Sequence, residues 1–157
     1  HQGVEASVEW DVLNPSGAAD ASSLLLFANA ALLDAEITRS ENAALVGNEP
    51  AFAPERILRA GALYRSAGGI KLGLTASHVS EHFWQDSNRA GAGGAIAAVV
   101  PSYSVVDLSA EVPLNDSVSL LGGVGNALDE DYYSRVRSDG IEPAQQRSYY
   151  LGVSLRF

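Results

Sequence analysis

The sequence predicts an all-β fold of one kind: a partial transmembrane antiparallel β-barrel, about seven strands of a larger barrel. Three observations predict it. Alternating apolar and polar residues recur in segments of roughly 9–12 residues, the length a tilted strand needs to cross a hydrocarbon layer. Short turns and long connections alternate between these segments, as they do in outer-membrane barrels. The last segment, Tyr149, Leu151, Val153, Leu155 and Phe157 against Ser148, Tyr150, Gly152, Ser154 and Arg156, keeps strict alternation to its final aromatic residue.

The elements follow in order. Val4, Ala6, Val8, Trp10 and Val12 alternate with Glu5, Ser7, Glu9 and Asp11, and Asn14-Pro15-Ser16-Gly17 supplies a turn. The Ala/Leu-rich stretch from about Ser22 to Ile37 fits either an amphipathic helix or a strand. A strand is the better reading, with Leu25, Phe27, Ala31, Leu33, Ala35 and Ile37 on an uncharged face and Asp34 and Glu36 opposite. Residues 38–54 form a long connection. Ile57 to Arg65 and Ile70 to about His78 pair across the turn Ser66-Ala67-Gly68-Gly69. Another long connection, about 80–102, leads to Tyr103–Leu114. Asn115-Asp116-Ser117 turns into Val118–Gly125, and residues 126–146 lead to the terminal strand. Trp10, Tyr64 and Phe157 all fall at the short-turn end, where an interfacial aromatic girdle belongs. Seven strands are too few and odd in number for a closed bacterial barrel, so further strands are expected before His1.

Composition narrows the function classes. The chain has 157 residues, net charge −9 and pI near 4.6, which disfavours a phosphate-backbone binder; no nucleic-acid partner is expected. Cysteine is absent, so thiolate metal sites and disulfides are excluded. The longest apolar run, Ala95 to Val100, is far too short for a membrane helix, which takes about 20 residues. His78, Glu81 and His82 invite a metal reading, but no supporting partner can be named. Gly91-Ala92-Gly93-Gly94-Ala95-Ile96 lacks the strand and helix setting of a dinucleotide loop, and nothing fixes a triad from Ser80, His78 and Asp86. No enzymatic chemistry, cofactor or metal site is expected.

Taken together, several segments resemble the barrel of TonB-dependent outer-membrane receptors of the ferric siderophore or ferric dicitrate type. They are Gly3-Val4-Glu5, Leu33-Asp34-Ala35, Phe52-Ala53-Pro54-Glu55, Pro101-Ser102-Tyr103 with Asp107-Leu108-Ser109, and Asn126-Ala127-Leu128-Asp129-Glu130-Asp131-Tyr132. The family usually has Leu-Phe where Ala127-Leu128 stands. Tyr133 to Pro143 looks most like the ferric dicitrate branch. The resemblance implies that residues 1–157 are the C-terminal part of the barrel, with the plug domain and earlier strands outside them. It implies an uptake receptor in the outer membrane of a Gram-negative bacterium. Its partners would be the TonB energy-coupling complex, the barrel-assembly machinery, outer-membrane lipid and an iron chelate, carried as ligand rather than cofactor.

A chelate bearing carboxylates would favour arginine, and Arg89, Arg135 and Arg137 are loop arginines that fit, with Trp84 and Tyr132 offering aromatic surface. The plain alternative is that these arginines pair with Asp129, Glu130, Asp131 or Asp139 in a solvated loop. Glu5, Glu9, Asp11, Arg59, Arg65, Lys71, Asp107 and Glu111 would line the lumen. Tyr150, Gly152, Leu155 and Phe157 resemble the terminal signal read by the assembly machinery, a strand suited to recognition by strand addition. Two other classes fit the alternation alone, a passive porin or small structural barrel and a soluble β-sandwich binding module. Deleting Phe157 from the complete protein is expected to impair outer-membrane assembly; an unchanged folded yield in that membrane refutes the role.

Overall fold

In the computed structural model, which describes residues 1–18, 21–94 and 96–156, the chain is almost entirely β. The strands are β1 (Gln2–Asp11), β2 (Ser23–Asp34), β3 (Arg56–Arg65), β4 (Lys71–Val79), β5 (His82–Phe83), β6 (Val99–Val100), β7 (Tyr103–Pro113), β8 (Val118–Gly125), β9 (Tyr133–Arg137), β10 (Gly140–Pro143) and β11 (Ser148–Leu155). Seven of them form one antiparallel sheet in the order β1-β2-β3-β4-β7-β8-β11. The other four make two small ribbons, β5 with β6 and β9 with β10, inside the long connections. The sheet stays open, and β1 and β11 are its edges.

The register explains the sheet. Directly opposed residues on antiparallel strands share a face. Val8 stands opposite Ala28, Ala28 opposite Ala60, Ala60 opposite Ala76 and Ala76 opposite Val106, one rung running across five strands. Further along, Leu108 meets Val124 and Val124 meets Tyr149. Between the rims, every residue on this face is uncharged, from Val4 through Leu26, Ala62, Leu74, Leu108 and Leu120 to Val153. The opposite face gathers Glu5, Glu9, Asp11, Arg59, Arg65, Lys71, Asp107 and Glu111. A single sheet with one uncharged face and one charged face is the wall of a membrane barrel, lipid on one side and water on the other.

Burial points the same way. Among the described residues the buried hydrophobic side chains are Trp84, Val100 and Val136, all in long connections and none in the large sheet. The outer face meanwhile leaves Val4, Trp10, Leu72, Leu74, Tyr149 and Val153 exposed. A soluble sandwich would cover such a face with a second sheet, and none of comparable size is present among the described residues. Strands of about 10 residues, rising about 3.3 Å per residue and tilted about 45°, cover roughly 25 Å of hydrocarbon. Trp10 and Tyr64 lie on the outer face near the short turns, and Tyr149 lies near the long loops. Phe157, the third expected girdle residue at the short-turn end, lies outside the described residues.

Two details differ from the sequence reading. The Ala/Leu-rich segment is a strand, but it ends at Asp34, and its outward residues are Leu24, Leu26, Ala28, Ala30 and Leu32. Leu25, Phe27, Ala31 and Leu33 face the charged side instead. Both faces of this strand are apolar, so alternation alone could not choose between them. Asp34 and Glu36, which suggested the opposite choice, sit at and beyond the strand end, where a charge can reach water. The register with β1 and β3 decides. The inward Phe27 lies against Gly61 directly opposite, where an added Cβ would come within 2.6 Å of the ring. Tyr150 covers Gly123 in the same way, so these two glycines make room for rings lying flat on the lumen wall.

The faces can be tested with neighbouring positions. Leu74→Lys on the outer face is expected to destabilise the complete receptor in vesicles by about 2–4 kcal/mol, whereas Thr75→Lys on the lumen face costs well under half of that. Denaturant titration of the bilayer-inserted protein gives the comparison.

Candidate functional site

Three short turns close one end of the sheet, and three long loops, 35–55, 80–102 and 126–147, gather at the other. The first short turn is built on two polar side chains. The Asp11 carboxylate accepts from the Asn14, Leu13 and Leu24 amides and the Ser23 hydroxyl, at 2.8, 3.2, 3.1 and 2.5 Å. Buried Asn14 accepts from the Ala18 amide and donates back to its carbonyl. Such self-contained turns leave few groups free for a ligand. The chemistry available to this chain lies at the loop end.

There the loops are bonded to one another. Asn88, at φ 50°, accepts from the Glu49 amide at 2.8 Å and donates to the Glu49 carbonyl at 2.9 Å. Asp86 accepts from the Ala51 amide at 2.8 Å, and Phe52 donates its amide to the Phe83 carbonyl at 2.8 Å. These contacts fasten the first long loop to the second. The second and third share an apolar cluster in which Trp84, Val100 and Val136 are buried and Ile96 packs alongside. The Trp84 indole N–H donates to the Ala97 carbonyl at 2.7 Å, so its one polar atom is satisfied.

The third loop is organised by Asn126, buried and at φ 50°. Its side chain donates to the Glu130 and Gln145 carbonyls and accepts from the Glu130 amide. Its own amide donates to Asp107. Asp129, also at positive φ, accepts the Arg147 amide at 2.9 Å and lies 3.8 Å from the Arg147 guanidinium. The segment Asn126–Tyr132 therefore acts as a loop former. Tyr132 stacks on Tyr103 with ring centroids 4.5 Å apart, fixing that segment to the start of β7.

The expected contact residues are spread over this face. Trp84 is an interior residue with little surface to offer. Tyr132 has one ring face taken by Tyr103. Arg89 and Arg135 are exposed, and Arg137 lies 4.0 Å from Glu142 across the β9–β10 ribbon, a pairing with a carboxylate other than those the sequence suggested. Arg135 and Arg137 alternate with buried Val136, so both stand on the outer side of the ribbon. The remaining sequence candidates part company. His78 lies on the outer face beside Ser104, 2.9 Å from its hydroxyl, whereas His82 is in the loops with Nδ1 3.1 Å from the Ser80 carbonyl. Ser80 is buried and accepts from the Arg56 amide. Among the described residues no cluster of His, Asp and Glu has metal-binding geometry.

On the lumen wall, Lys71 and Glu111 are paired at 2.9 Å, directly opposite one another. With Arg65, Leu25, Leu121 and Tyr150 they border a cavity of about 600 Å³ near the short-turn end. In the terminal strand, Tyr150 and Gly152 face the lumen and Leu155 faces outward, while Phe157 lies outside the described residues.

An open sheet, lipid-facing on one side, with short turns at one end and braced loops at the other, defines an outer-membrane barrel segment of the receptor type. The chain belongs to the TonB-dependent receptor-like β-barrel family, whose model matches residues 1–127. That family consists of transport receptors of the Gram-negative outer membrane, not enzymes. Comparison with curated proteins finds no match. Among solved structures, the ferric citrate transporter FecA is 24% identical with a TM-score of 0.72, over 85% of this chain and 21% of that one. The siderophore receptor PiuA of Acinetobacter baumannii is 20% identical with a TM-score of 0.74, over 98% of this chain and 21% of that one. The ferric yersiniabactin uptake receptor FyuA of Yersinia pestis is 17% identical with a TM-score of 0.71, over 99% of this chain and 23% of that one. These likenesses establish the fold. The chain spans about a fifth of the length of these structures.

Trp84→Ala in the complete receptor is expected to remove roughly 3 kcal/mol from the closed loop assembly. The measurement is limited proteolysis of intact vesicles: cleavage within residues 80–102 and 126–147 rises together, while the strands stay protected.

Proposed function

We propose that this chain forms part of the wall and three external loops of an outer-membrane receptor that imports iron chelates with energy delivered through TonB. The observation that carries the reading is the family match, which covers six of the seven large strands together with two of the three long loops. Structural likeness to a ferric citrate transporter, a siderophore receptor and a ferric yersiniabactin uptake receptor supports it.

In this mechanism the loop end captures the chelate and the wall encloses a water-filled path. A plug domain outside residues 1–157 holds the ligand until TonB, acting from the inner membrane, rearranges it. The wall's contribution is passive. Its lumen charges hydrate the path, and its outer face holds the barrel in lipid. Exposed Arg89, Arg135 and Arg137 are the side chains through which a carboxylate-bearing ligand would be held, with Tyr132 at the loop base. Trp84 positions the second and third loops. Tyr150, Gly152, Leu155 and Phe157 serve earlier, as the strand that the barrel-assembly machinery reads.

The complete receptor, reconstituted in vesicles, is expected to bind at least one ferric chelate with an affinity near or below the micromolar range, and iron uptake by cells is expected to stop when TonB is deleted. Iron-chelate uptake that persists without TonB would place the protein among passive porins.

A further inference from the structure

We draw no further inference here: the strongest candidate, the recess of about 530 Å³ that Ala28, Ala30, Ala60 and Ala76 line beside His78 on the lipid-facing side of β2, β3 and β4, is a stripe of small residues on a face the membrane already covers, and nothing in the structure shows a particular occupant for it.

Discussion

The constraint on which everything else depends is that a backbone amide in hydrocarbon has no water to bond to. Each strand must therefore pair with its neighbours along its whole membrane-crossing length. This fixes the antiparallel neighbour order, and the unbroken register of the large sheet follows from it. Once register is fixed, the side of each residue is fixed too, because a slip of one residue would turn every lipid-facing side chain into the lumen. The uncharged outer face is the sequence's answer to that geometry. It runs from β1 to β11 without a charge between the rims.

A wall of this kind has no interior, and the hydrophobic effect acts on it through lipid. The loops face water on the outside and must find their own cohesion. They do so with two devices of different character. Between the first and second loops the attachment is polar and directional, through Asn88 and Asp86 onto backbone amides. Between the second and third it is apolar, through Trp84, Val100 and Val136. The conventional arrangement is thereby inverted, with exposed leucines along the strands and a small core in the connections.

Much of the wall was legible in the sequence, because period-two alternation and connection length are local signals. The seven large strands, the short and long connections and the residues of the lumen face all follow from them. The second strand shows where this stops. With Leu25 and Phe27 on one side and Leu24 and Leu26 on the other, both faces were apolar, and only pairing with Glu5 to Asp11 and Arg56 to Arg65 assigns them. The loops were harder still. The β9–β10 ribbon had a readable signal in Ser138-Asp139-Gly140 between alternating segments. The burial of Trp84 had none, since its partner Val136 lies far along the chain, on a different loop. An aromatic in a Gly/Ala-rich loop reads as exposed until its distant partner is known.

The loop core has a consequence for what the outside world meets. Trp84 and Val100 arrive on one loop and Val136 on the next, and the strands between those loops must already stand side by side before they can touch. The cluster is thus a late product of assembly, formed on the far side of the membrane. Anything approaching from the exterior, a protease, a phage or an antibody, encounters residues 80–102 and 126–147 as one folded surface. A linear peptide copied from either loop would show Trp84 or Val136 to an immune system that, on the intact cell, would never see them.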